Sequence, residues 1–358
     1  MLNMQFGLSF FPDSHPEDKS GEQYFREALD LTEVADQLGY HHVRIVEHYE
    51  HAYGGYSSNP SIFLAAASQR AKNLRLVTGC VLPAFTHPVK LAHELSMLDA
   101  ISGGRLEVGF ARAFLPHEFN TFGVPMAESN TRYRESLGVI RRLWSEDKVT
   151  HNGEIYNFEN VSVVPRPTQK KIPTWVAAIQ TAESFEWAGE NGHNLMVVPY
   201  LADYDKLREN IQLYKKAYEK AGHGTVQKDQ IQMALHTYIH EDEQQAIADA
   251  KGYMEHYVNV FLESATAWDS TSSEQYKGYD KIAEGLRAMT YEKVLNEGRA
   301  AIGSPETVIK RFKELSEFFD VHQFSLQLNF GNMKYEDALR SVRLLGEKVI
   351  PAFKALNV

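Results

Sequence analysis

Apolar positions recur along this chain in two alternating rhythms. Residues 4–11 place Phe6, Leu8 and Phe10 at every second position, the period of a strand with one buried face. Residues 22–38 then carry Leu31, Val34, Ala35 and Leu38 at helical spacing, and Gly39 follows as a helix stop. The exchange repeats to the end of the chain. Further strands are predicted over 42–46, 74–82, 105–110, 174–178, 194–198, 231–239 and 324–330. Further helices are predicted over 59–70, 87–101, 131–144, 182–191, 203–221, 242–262 and 335–353; the first of these opens on Asn59-Pro60, an N-cap and a first-turn proline.

Two segments interrupt the rhythm. Residues 149–164 carry Asn152-Gly153 between extended stretches, which predicts an inserted hairpin. Residues 264–299 are polar, with Ser270-Thr271-Ser272-Ser273, scattered glycines and no core-facing period. They read as a long mobile loop before the last strand, either a functional lid or a dispensable surface insertion. Eight strands separated by helices, with no second hydrophobic rhythm, predict a single (β/α)8 TIM barrel domain over residues 1–358. A doubly wound sheet is the alternative, but no strand is followed by its glycine-rich phosphate fingerprint.

Composition narrows the function classes. The chain has 358 residues, 43% of them hydrophobic, enough to bury a large core and to exclude a disordered chain or a disulfide-stapled miniprotein. A net charge of −10 with no basic stripe argues against nucleic-acid binding. The single cysteine, Cys80, excludes disulfide frameworks and fits a reducing compartment. The N-terminus has no secretory pattern, and no apolar run reaches the roughly 18 residues of a membrane span, so a cytoplasmic protein without membrane contact is expected.

In an α/β barrel the chemistry lies at the C-terminal ends of the strands. The second strand ends in Glu47-His48, and His48 is the leading candidate because imidazole exchanges protons near neutral pH; a hydrogen-bonded strand cap is the alternative for either residue. Glu47 falls on the opposite face of an extended strand. No metal is expected: His48 and His51 lack a His-x-His pair, and no His-Glu-x-x-His run occurs. Arg112 ends the fourth strand as an anion anchor. Thr181 and Ser184 open the helix after the fifth strand, where they either cap the helix or join Arg112 in a phosphate cradle. Phe10, Tyr49, Tyr56, Phe85, Phe110 and Phe114 fall near strand ends, as pocket walls or as ordinary barrel packing.

Several stretches then carry a resemblance. Glu47-His48-Tyr49, Pro83-Ala84-Phe85-Thr86-His87-Pro88, Leu98-Asp99-Ala100-Ile101-Ser102-Gly103-Gly104-Arg105 and Gly303-Ser304-Pro305-Glu306 resemble the bacterial-luciferase-like flavin-dependent monooxygenases. Order and spacing hold from residue 4 to residue 354. The block 109–119, with Leu115-Pro116-His117-Glu118-Phe119, is most similar to members found beside polyketide and nonribosomal-peptide pathways.

The resemblance implies a (β/α)8 barrel that binds reduced FMN, delivered by a separate flavin reductase, and uses O2 through a flavin peroxide to oxygenate an organic substrate. It implies that His48 assists proton transfer, with Glu47 as the acidic residue before it. Arg112 would bind the flavin phosphate with Thr181 and Ser184, Gln180 would stand where luciferase has glutamate, and residues 264–299 would form the mobile shielding loop. Ala111 occupies the place of a reactive cysteine beside the flavin ring. Asn130 replaces a second phosphate arginine, for which Arg132 is the stand-in, and Tyr253 falls near an active-site tryptophan. The implied substrate is a small molecule or one tethered to a carrier protein. Family members pair as homodimers through the helices after the second and third strands, where Ala65-Ala66-Ala67-Ser68 permits close approach. A deazaflavin-dependent oxidoreductase of the same superfamily and a non-catalytic flavin-binding subunit are the alternatives.

Overall fold

In the computed structural model, which describes residues 4–179 and 181–354, all eight expected strands form and close into a parallel barrel. The strands in chain order are β1 (Gln5–Phe10), β2 (His42–Ile45), β3 (Arg75–Val81), β4 (Leu106–Phe110), β5 (Val149–Asn152), β6 (Asn157–Val161), β7 (Thr174–Ala177), β8 (Asn194–Val197), β9 (Ile231–Ile239), β10 (Ala301–Gly303) and β11 (Gln323–Gln327). The barrel runs β1-β2-β3-β4-β7-β8-β9-β11, and β11 pairs back onto β1 with Leu8 opposite Leu326. β5 and β6 form the expected antiparallel hairpin outside it, with His151 opposite Phe158.

The helices are α1 (Gly21–Gln37), α2 (Pro60–Arg70), α3 (Pro88–Ile101), α4 (Pro116–Thr121), α5 (Ser129–Ser145), α6 (Ala182–Glu190), α7 (Tyr204–Lys220), α8 (Glu243–Ala265), α9 (Ile282–Arg287), α10 (Tyr291–Asn296), α11 (Pro305–Phe319) and α12 (Tyr335–Leu344). Asn59 caps α2 by accepting from the Ser61 N–H at 2.9 Å, and Pro60 fills its first turn. Outward-facing Phe6, Leu8 and Phe10 are at most 2% exposed beneath the helices. Phe6, Phe312 and Phe324 pack within 6 Å of one another and seat α11 against the outside of β1 and β11.

The inside of the barrel is polar by contrast. His42 on β2 reaches across the intervening β1 to place its Nε2 3.1 Å from the Ser325 Oγ on β11. Gly7 makes this crossing possible: a Cβ there would lie 2.1 Å from the same Nε2.

Two parts of the chain depart from the sequence reading. Residues 264–299 are not a featureless loop: α8 runs to Ala265, short 3-10 turns follow, and then α9 and α10. Trp268, Tyr276, Leu286 and Tyr291 are each no more than 5% exposed, so this polar stretch owns buried anchors. The periodicity test missed them because turns of three to five residues never establish a repeat. Between it and β11 lie β10 and α11, which no strand or helix had been predicted to occupy. The signal for α11 was present: the Ser304 hydroxyl accepts from the Thr307 N–H and Pro305 opens the helix.

Candidate active site

The C-terminal ends of the strands surround a cavity of about 410 Å³. A second space of about 220 Å³ adjoins it; both are lined by Ala177, Arg112, Thr181, Ser184, Gln275 and Lys277. Strand ends supply the walls, and residues 275–299 supply the roof.

β2 ends at Ile45, and the chain then folds into a loop that fixes the next residues. The Ser57 hydroxyl donates to the Val46 carbonyl at 2.6 Å, and the His48 N–H donates to the Ser57 carbonyl at 3.1 Å. Because the strand has ended, Glu47 and His48 do not diverge to opposite faces; both line the cavity. His48 is 8% exposed, enclosed by the rings of Phe11, Tyr53 and Phe114. Gly54, at φ +80°, lets the loop lie against the imidazole, where a Cβ would come within 2.7 Å of His48 Cδ2.

The partner of His48 is Glu118, which had no assigned role. Its carboxylate is fully buried on α4. Glu118 Oε1 accepts from His48 Nδ1 at 3.0 Å and from the Tyr49 N–H at 3.0 Å. A carboxylate acceptor places the ring proton on Nδ1, so the neutral imidazole keeps its lone pair on Nε2. Local spacing could not reveal this pair, because its members are 70 residues apart in sequence.

Glu47 is held separately. The Tyr49 hydroxyl donates to its Oε1 at 2.5 Å and the Leu82 N–H to its Oε2 at 3.0 Å. Burial outweighs both bonds and pushes the carboxyl up to about 7. Cys80 also lines the cavity, but burial pushes its thiol up to about 11, leaving it neutral and unreactive at physiological pH.

The other end is cationic and hydroxylic. Arg112 follows β4, with its guanidinium 4.2 Å from the centroid of the Tyr276 ring and Nη2 donating to the Gln275 carbonyl at 2.8 Å. The Thr181 and Ser184 hydroxyls lie 2.8 Å apart at the start of α6. Thr181 is the N-cap residue, yet its side chain caps no helix N–H; plain capping does not explain it. Gln180 lies outside the described residues. Arg132 does not fill the place left by Asn130: its guanidinium pairs with Glu128 at 2.8 Å and lines neither space. Arg134 does line the smaller space, beside Asn130 and Lys277, and also pairs with Glu183 at 2.6 Å.

Ala111 lines the wall next to Arg112. Tyr253 does not reach the cavity; its hydroxyl donates to Asp337 at 2.7 Å on the outside of the barrel. Of the six aromatic residues proposed for the pocket, only Phe114 lines it; Phe10 and Phe110 are wholly buried in the core, and Tyr53, Tyr200 and Phe261 form the apolar walls instead. The roof is fastened by the Tyr276 ring against Phe119 and Trp268, by its hydroxyl to the Ala113 carbonyl, and by Tyr279 against Phe114. Glu50, His51 and His117 bring three potential metal-binding atoms within 4.8 Å of one another outside the cavity. Among the described residues no helix is long and apolar enough to cross a membrane.

The chain matches known proteins along nearly its whole length. A family model described as luciferase-like monooxygenase matches residues 4–321. A flavin-dependent trigonelline monooxygenase, oxygenase component, from Acinetobacter baylyi is 29% identical over 99% of this chain and 97% of its own. The crystal structure of monooxygenase RslO1 from Streptomyces bottropensis superposes with a TM-score of 0.86 at 38% identity, covering 98% of this chain and 100% of that one. The oxygenating constituent of 3,6-diketocamphane monooxygenase from Pseudomonas putida, a type II Baeyer-Villiger monooxygenase solved with FMN, shares the fold at a TM-score of 0.82 and 21% identity, over 99% of both chains.

Proposed function

We propose that this chain, which belongs to the luciferase-like monooxygenase family, is the oxygenase component of a two-component system that uses reduced FMN and O2 to oxygenate an organic substrate. One observation carries this reading: a buried histidine–carboxylate pair and a cationic, hydroxyl-lined recess open onto the same pair of adjoining cavities. Their combined size falls in the range of a cofactor site. The donor set suits a phosphomonoester: Arg112, Arg134 and Lys277 outnumber Glu183 and Glu274 in lining this space, beside the Thr181 and Ser184 hydroxyls, which bond to each other at a helix start. Small residues, Gly79, Ala111, Ala177 and Ala178, line the cavity that holds His48 and leave room for a ring system. FMN would be held at its phosphate by Arg112, Thr181 and Ser184, with Ala111 lining the same cavity; Gln180, outside the described residues, is a further contact that the family resemblance implies.

When bound, the reduced flavin supplies the electrons that activate O2. The chain's own groups do the rest. Arg112 and the α6 hydroxyls anchor the phosphate. Glu118 holds the His48 proton on Nδ1, so that Nε2 accepts or returns a proton inside the cavity. Glu47, its carboxyl pushed up to about 7 by burial, is mostly uncharged below that pH. Tyr276 and Tyr279 close the roof against water.

Reduced FMN would come from a separate flavin reductase, in keeping with the oxygenase-component name of the Acinetobacter relative. The substrate is a small organic molecule, free or tethered to a carrier protein, and the whole unit of residues 1–358 acts in the cytoplasm. A homodimer through α2 and α3 fits the exposed Ile62, Met97 and Ile101 on those helices, 72%, 53% and 44% exposed. Light scattering that gives the mass of one chain at micromolar concentration would refute the dimer.

The test is to titrate the protein with FMN and with a deazaflavin while following tryptophan fluorescence, then to supply a flavin reductase and measure O2 uptake. Micromolar FMN binding with O2 consumption supports the reading. Preference for the deazaflavin without O2 uptake identifies a deazaflavin-dependent oxidoreductase. FMN binding with activity indifferent to loss of His48 identifies a flavin-binding subunit.

A further inference from the structure

One buried cation at the cavity forms no ion pair among the described residues. Arg44 lies on β2, facing into the barrel, and is 6% exposed. Its Nη2 donates to the Gly79 carbonyl at 2.7 Å, the Cys80 thiol also lies in hydrogen-bonding reach of the side chain, and its buried Nε meets no oxygen or nitrogen acceptor among the described residues. Gly79 itself is needed for the guanidinium to pass: a Cβ there would sit 2.0 Å from Nε. No carboxylate among the described residues forms an ion pair with Arg44; the titratable side chains beside it are the Cys80 thiol and the Tyr200 hydroxyl, both held uncharged at physiological pH by burial. Glu47 lines the same cavity but is engaged by Tyr49 and Leu82.

The neighbours of Arg44 are polar and neutral. Gln327 at the end of β11 and Tyr200 after β8 line the same part of the cavity, and Gln327 Oε1 is buried without a partner. The Tyr200 hydroxyl is 2.8 Å from that of Tyr257. A guanidinium taken out of water without an anion is costly, and an anionic ligand that paired with it would offset that cost. The phosphate recess has its own cations, Arg112, Arg134 and Lys277, and Arg44 does not line it.

We propose that Arg44 anchors a carboxylate on the substrate, at the inner end of the cavity and apart from the phosphate recess. The substrate class is therefore an organic acid whose apolar body lies between Phe11, Tyr53 and Phe261. This rests on the cavity being the oxygenation site, as argued above. The guanidinium fixes the acid end of the substrate, so the carbon to be oxidised is set by its distance from the carboxylate.

The test compares 1-naphthoate with its neutral isostere 1-naphthamide, titrated by calorimetry into the wild-type protein with and without FMN. The wild type should bind the acid at least tenfold more tightly than the amide. Arg44→Met should erase that preference while leaving FMN affinity unchanged, and Arg44→Lys should keep part of it. Acid binding no tighter than amide binding in the wild type, absence of binding by both included, overturns the proposal. So does an Arg44→Met protein that keeps the preference. A tenfold loss of FMN affinity in Arg44→Met also overturns it, since the cation would then serve the flavin ring. If Arg44→Met does not fold, Arg44→Gln replaces it in the same comparison. Failure of the wild type to bind FMN would overturn the monooxygenase reading instead, while the acid–amide comparison would still decide the role of Arg44.

Discussion

The wall and the roof of the cavity are built by different means. On the wall, His48 and Glu118 are almost wholly buried, and main-chain bonds from Ser57 and Tyr49 fix both before any ligand arrives. On the roof, Gln275, Tyr276 and Lys277 come from short 3-10 turns, held by three aromatic contacts and by the Gln275 carbonyl on Arg112. A proton must leave and return along one direction, so the groups that carry it belong on fixed backbone. A cofactor must enter and leave, so the surface that excludes water belongs on a segment whose attachments can be released without unfolding the barrel.

Breaking the wall should have the largest effect. His48→Ala should still bind FMN but lose about 10²–10⁴-fold in the rate of product formation under saturating reduced flavin. Glu118→Gln should lose less, about 10–100-fold, because the ring remains but its tautomer and direction are no longer enforced. If the two act as one unit, the double variant should be no slower than His48→Ala alone. Additive losses, read in the same assay, would separate Glu118 from the histidine.

Breaking the roof should change the outcome of turnover more than its rate. Tyr276→Ala removes a ring packed on Phe119 and Trp268 and lying under the Arg112 guanidinium. The melting temperature of the barrel should hold, while hydrogen peroxide released per flavin oxidised rises several-fold. Tyr276→Phe keeps the ring and should stay close to wild type. Deleting residues 270–278, which looks harmless if the segment is a bare polar loop, would remove Tyr276 and the Gln275 carbonyl together and should disturb flavin binding as well. Wild-type coupling in Tyr276→Ala would show that this roof excludes no water.

The smallest effect is a pH dependence on the wall. Burial raises Glu47 to about 7 and Asp13, clamped by the Gly331 N–H, to about 6. An acid raised on folding binds more protons in the native state than in the unfolded one between its two pKa values, so stability falls as pH rises through that window. Burial holds His42, His193 and His236 below the ordinary histidine value, and these act in the opposite sense below about pH 6.5, so the Glu47 share is read as a difference. Glu47→Gln should gain thermal stability relative to the wild type as pH rises from 5 to 7.5. A difference between the two proteins that does not change with pH would mean that Glu47 ionises normally.

The same contrast governs what could be read from the chain. All eight barrel strands were legible because period-two apolar runs such as Phe6, Leu8 and Phe10 survive any tertiary context. His48, Arg112, Thr181 and Ser184 were legible as candidates because a barrel places strand ends at one face. Glu118 was not, since its significance lies in a contact across 70 residues from a helix of only six. Arg134 was passed over in favour of Arg132 because position in sequence does not say which side of α5 faces the recess. Arg44 was hidden for another reason: within a run of strand residues an arginine reads as surface, and only barrel closure shows it to be inside.

The account stands most directly on the recess beside α6. Calorimetric titration with FMN and with riboflavin, which lacks the phosphate, measures what that recess contributes. The wild type should prefer FMN, and Arg112→Ala should lose about one to two orders of magnitude in FMN affinity, roughly 1.5–3 kcal/mol for a charge-assisted contact, with riboflavin binding unchanged. Equal affinity of the wild type for the two flavins, or an Arg112→Ala protein that retains the full preference for FMN, would contradict it.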